Sequence, residues 1–116
     1  MTKDEVRAEI FSFPGVEEGF SQRSWNFKVN GKSLVRLGVR TGADDLMLHD
    51  VGFDEAEMLI AADPATFHTT PHFTGANCVI ARIGPLMPDV LRGFLERRWR
   101  KIAPKAAVKA WDASRA

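Results

Sequence analysis

Between Ser24 and Arg40 the chain reads SWNFKVNGKSLVRLGVR, with apolar and polar residues alternating on both sides of Asn30–Gly31. Trp25, Phe27 and Val29 recur at every second position before the turn, and Val35, Leu37 and Val39 do so after it. A period of two puts these side chains on one face of a strand, whereas a helix would scatter them. Asn-Gly readily adopts the positive φ angles of a tight type I′ turn, so the two runs pair as an antiparallel hairpin. TGADD (41–45) marks a second turn and LMLHDV (46–51) a third strand.

Helices flank these strands. Thr2 and Glu5 have capping-box spacing, and Val6, Ile10 and Phe13 follow on one helical face until Pro14–Gly15 stops the helix. Glu17–Glu18 then read as solvated loop. Asp54 with Glu57 predicts the cap of a short second helix through Met58, Leu59 and Ala62, ended by Asp63–Pro64. Residues 67–70 and 77–83 make two further strands, with Val79, Ala81 and Ile83 toward the core. Pro88 suits the first turn of a long helix reaching about Ala103. Its apolar stripe holds Met87, Val90, Leu91, Phe94, Leu95, Trp99 and Ile102, with Arg98 near the middle. A guanidinium there needs a carboxylate partner, so a structural ion pair is expected. The prediction is α+β: a two-layer sandwich with a five-stranded antiparallel sheet, helices on one face, and the order α-βββ-α-ββ-α. One domain spans 1–116, with a tail over 105–116 carrying Trp111.

No apolar run approaches the ~20 residues of a membrane span, and no export leader is visible, so no membrane contact and a cytoplasmic location are expected. The single Cys78 excludes an internal disulfide. The net charge of +1 hides a division. Residues 82–116 hold nine Lys/Arg against three acids, leaving seven and twelve for residues 1–81. Either an anionic partner meets the basic part, or the two halves interleave in the fold as oppositely charged surfaces that merely keep the protein soluble.

Three groupings invite a chemical reading. His68 and His72 stand in HxxxH spacing, but Thr69–Thr70–Pro71 between them disfavours a helix. In extended chain they lie roughly 13 Å apart, too far to share an ion, so no metal is expected. Cys78 with His72 lacks an identifiable orienting group and oxyanion hole. His49 and Asp50 are strand neighbours that face opposite ways. The paired acids Glu17–Glu18 and Asp44–Asp45 suit a loop and a turn, and no phosphate-loop, dinucleotide or hydrolase signature occurs. No catalytic residue and no cofactor are expected.

The cations carry more. If the apolar alternates of the strands face inward, Lys28, Arg36, Arg40 and Arg82 face outward together, and Lys32 extends them at the hairpin tip. Ser24 and Asn26 would add neutral donors to such a surface for nucleic-acid phosphates. Arg92, Arg97, Arg100 and Lys101 fall on the solvent side of the last helix, away from this face.

The segments FPGVEEGF, FKVNGKSLVRL, AADPATFHTTPHF, GANCVIARI and LRGFLERRWRKIAPK, in this order, resemble the small bacterial MmcQ/YjbR-like proteins over roughly residues 5–105. The resemblance implies a two-layer α+β fold similar to secretion chaperones and CyaY-like proteins. It implies DNA binding, with hairpins acting as wings, and brings no catalytic residue or cofactor. GFLERRWR departs from the pattern at Arg98, which puts the docking of the last helix in question. The expected function is a non-enzymatic module on double-stranded DNA; the alternative is an adaptor or chaperone-like domain that binds a protein.

Overall fold

Thr2 caps the first helix as its spacing predicts: its hydroxyl accepts from Glu5 N–H while Glu5 accepts from Thr2 N–H. The computed structural model describes residues 1–71, 73 and 76–115. In chain order the elements are α1 (Lys3–Phe11), β1 (Glu17–Ser21), β2 (Ser24–Val29), β3 (Lys32–Val39), β4 (Gly42–His49), α2 (Phe53–Ala62), β5 (Phe67–His68), β6 (Cys78–Arg82), α3 (Pro88–Ile102) and α4 (Lys105–Ser114). The strands form one antiparallel sheet in the order β1-β2-β3-β4-β6-β5.

The α+β class holds, but the sheet has six strands rather than five and the element order becomes α-ββββ-α-ββ-αα. The added strand is β1, in place of the loop expected at Glu17–Glu18. All five of its residues are exposed, so it leaves no alternating pattern to read. Its turn into β2 places Gln22 at φ 52° and Arg23 at φ 60°, the twist of a type I′ turn made without Asn or Gly. Asp44 and Asp45 lie within β4, because the β3–β4 turn comes earlier, at Arg40–Thr41. Asp54 does not cap α2. Gly52 holds that position without a side-chain bond, and Asp54 sits in the first turn, where the helix dipole favours a carboxylate.

One face of the sheet buries Phe27, Val35, Leu37, Leu46, Leu48, Val79 and Ala81 beneath α1 and α3. Trp99 is the largest fully buried side chain and gives its indole N–H to Pro14 O at 3.0 Å. The tail is α4, which brings Trp111 into stacked contact with Phe13 at 5.1 Å. Two sheet positions differ from expectation. Trp25 stays 41% exposed because it lies beside the edge strand. Val39 turns to the opposite face, because Gly38 at φ 77° interrupts the β3–β4 register. There it joins Met47 against Phe73, Cys78 and Ile80, a small second core that covers part of the face expected to be open.

Candidate phosphate-binding groove

What stays open on that second face is a groove of about 830 Å³ between the β1–β2 and β3–β4 turns. Val39, Met47 and Phe73 give it apolar walls, and Arg23, Arg36 and Arg40 give it charge. The two tight turns deliver Arg23 and Arg40, while Arg36 comes from the middle of β3. Arg36 also fastens the first turn. Its Nη1 donates to Ser24 Oγ at 2.7 Å and to Ser21 O at 3.2 Å. Ser24 and Gln22 complete the lining with neutral donors and acceptors.

The five cations expected from the alternation therefore separate. Arg36 and Arg40 meet in the groove, joined by Arg23, which carries no alternation signal because it sits in a turn. Lys28 is exposed farther along β2, cross-strand from Glu17, and Lys32 is exposed where β3 begins. Arg82 lies at the end of β6, where Nη1 donates to Pro64 O at 3.2 Å and more weakly to Ala65 O. Among the described residues, no ion pair engages Arg23, Lys28, Lys32, Arg36, Arg40 or Arg82. The long helix is the opposite case. Arg92 pairs with Glu9, Arg97 with Glu55, Arg98 and Lys101 with Asp50, and Arg100 with Glu96 and Asp112. Five of the nine cations in residues 82–116 are thus offset within the fold; among the described residues, Arg82 on the sheet and Lys105, Lys109 and Arg115 at α4 have no ion pair.

Beside the groove runs a polar chain. Ser33 Oγ donates to Asn26 Oδ1 at 2.7 Å and lies 3.0 Å from His49 Nε2. With its proton committed to Asn26, Ser33 accepts from His49, which assigns the Nε2–H tautomer. Burial, reinforced by the Arg98 charge, drives the His49 pKa down to about 4 against a weaker opposing pull from Asp50. His49 is neutral at physiological pH and serves as a spacer rather than a proton carrier. The unfolded chain takes up a proton near pH 6.5, so the folded state loses stability as pH falls from about 6.5 to about 4. Allowing for partial solvation, the loss is about 2 kcal/mol, and His49→Gln should flatten that part of a urea-midpoint-versus-pH curve. An unchanged curve in the variant would remove His49 as its cause.

The other candidates bring little chemistry together. Burial pushes the Cys78 thiol up, which makes it a poor nucleophile. His72 lies outside the described residues, so the HxxxH spacing is not tested. His68 Nε2 stands 3.3 Å from Asp45 Oδ2 without hydrogen-bond alignment, and Asp45 also accepts from Thr41 Oγ1. Among the described residues, no three His, Cys, Asp or Glu side chains gather around one possible metal position. No described helix is long and apolar enough to cross a membrane.

The family model for YjbR matches residues 11–101. This chain belongs to the YjbR family. It is similar to Uncharacterized protein Rv2570 of Mycobacterium tuberculosis and Uncharacterized protein Mb2600 of Mycobacterium bovis. Each is 31% identical over 90 residues, covering 75% of this YjbR chain and 68% of the relative. No solved structure gives a significant match. The YjbR match reaches Lys101 and so takes in all but the last residue of α3, the element whose docking was in question at Arg98. Arg98 docks it through Asp50 at 3.1 Å and through Ser33 O, which accepts from Arg98 Nε at 2.9 Å. The structural ion pair expected from the sequence is present.

Proposed function

We propose that this YjbR protein is a non-enzymatic binding module for nucleic-acid phosphates, with Arg23, Arg36 and Arg40 as its centre. Lys28 and Arg82 are flanking cations on the same side, and Lys32 stands at the hairpin tip, cross-strand from the core residue Val29. One observation carries the reading: three arginines converge on a groove without a carboxylate partner, in a molecule that pairs most of its helical cations. Unpaired guanidiniums offer bidentate geometry to phosphate oxygens and keep their full charge for long-range attraction. The apolar walls leave room for a sugar or base edge beside the backbone.

The cleanest test avoids Arg36, because losing it would also free the β1–β2 turn. Arg23→Asn tolerates the positive φ, and Arg40→Ala removes a side chain without an ion pair. Together they should weaken binding to a short DNA duplex roughly 30- to 100-fold in fluorescence anisotropy, with the melting temperature little changed. Equal affinity in variant and wild type would rule the groove out.

A second reading, a protein-binding adaptor, has its own support. Phe11, Phe20 and Trp25 are exposed beside the free edge of β1.

A further inference from the structure

β1 ends the sheet, so one side of its backbone has no strand partner. Ser21 and Ser24 close a two-residue turn and so form a hydrogen-bonded pair. Alternation then directs the N–H and C=O groups of Gly19 toward β2 and those of Glu18 and Phe20 outward. Natural edges are usually blunted by charged side chains, lysine above all, by proline, by a bulge or by shortness. β1 (EEGFS) has no lysine, proline or bulge, and its only charges are Glu17 and Glu18. Its two acids are counterbalanced within the chain: Glu18 pairs with Arg7, and Glu17 stands cross-strand from Lys28.

The surface flanking this edge is aromatic. Phe20 is 61% exposed and packs edge-on against Trp25 at 4.9 Å, while Phe11 is 48% exposed against Phe27. Arg7 lies 5.1 Å over the Trp25 ring, tying the patch to α1.

We infer that β1 pairs with β1 of a second copy of this chain, antiparallel about Gly19. This goes beyond the phosphate-binding proposal and does not depend on it. The strand is self-complementary in that register. Glu18 faces Phe20 of the other copy through a pair of backbone hydrogen bonds on each side of the two-fold axis. Glu17 faces Ser21. No acid opposes an acid, and such like-charge pairing is what destabilises cross-strand contacts. Another protein's strand could use the same hydrogen bonds, but self-pairing alone follows from this strand's own sequence. An axis normal to the sheet keeps both sets of helices on one side and opens both arginine grooves on the other.

The three rings expose on the order of 300 Å² per copy, and the strand backbone adds to this. That places the seam at the low end of specific interfaces, so association should be weak, in the micromolar range. Sedimentation equilibrium of the full chain, without nucleic acid, from about 5 µM to about 1 mM should show the mass rising from 12.9 kDa toward twice that value. Phe20→Glu, which sets an acid opposite Glu18 of the other copy on each side of the axis, should remain monomeric across the series with its circular dichroism unchanged. Amide exchange at Glu18 and Phe20 should slow as wild-type concentration rises, which gives a residue-level readout even if the variant folds poorly. A constant mass of 12.9 kDa throughout, or exchange at those amides independent of concentration, would overturn the inference. Neither result bears on the duplex-binding test, so the two proposals can fail separately.

Discussion

Trp99→Ala lowers unfolding stability by about 4 kcal/mol, the largest loss expected from a single substitution in this YjbR protein. The indole is fully buried and lies where three segments meet. It sits on α3, donates to Pro14 O between α1 and β1, and packs at 5.1 Å against Trp111 of α4. Alanine removes the ring contacts, leaves a cavity and strands a carbonyl whose donor is gone. Trp99→Phe separates the terms by keeping most of the ring and losing the N–H, and should cost about 1–2 kcal/mol. Urea denaturation with an unchanged slope reads both. A loss below about 1 kcal/mol for alanine would show that the three segments do not depend on this contact.

Asp50 is the second expected weak point. Its carboxylate receives Arg98 at 3.1 Å and Lys101 at 2.9 Å, while its own carbonyl accepts from Arg97. Burial pushes the Asp50 carboxyl up, but hydrogen bonds from Lys101 and Arg98 outweigh this and hold it below the usual range. Its contribution is therefore present above the ordinary carboxylate pKa and is lost as pH falls through the lowered value. Removing it leaves Arg98 mostly buried without a counter-charge, the situation that makes breaking a buried pair costly. Asp50 also holds φ 61°, which asparagine tolerates and alanine does not. Asp50→Asn should cost about 2 kcal/mol and Asp50→Ala about 3 kcal/mol by denaturation midpoint. Equal losses would assign the whole effect to charge and none to backbone.

The parts of this fold legible in the sequence are those whose signal is local. The Asn30–Gly31 turn and the Thr2–Glu5 box rest on neighbouring residues and form as expected. The α3 stripe buries Leu91, Phe94, Leu95, Trp99 and Ile102, whereas Met87 and Val90 at its start are exposed. β1 was hidden because an edge strand with five exposed residues needs only backbone pairing, and its turn uses Gln22–Arg23 instead of Asn or Gly. Counting outward positions by strict alternation failed at Gly38, where one irregularity moves Val39 across the sheet. Arg23 escapes for a different reason, since turns lie outside the alternation. The neutralisation of α3 could not be seen from the sequence. Arg92 and Glu9 are 83 positions apart, so only the fold shows that they cancel.

The central claim is that unpaired arginines on the sheet hold nucleic-acid phosphates, and salt dependence tests it most directly. Binding of the wild-type chain to a short DNA duplex is measured across a series of salt concentrations. Three groove arginines displacing condensed counterions predict a log–log slope of roughly −2.7, steepening toward about −3.6 if one of the flanking cations joins. A slope near zero, or no binding at the lowest salt, would contradict the account and leave the aromatic edge of β1 as the surface to pursue.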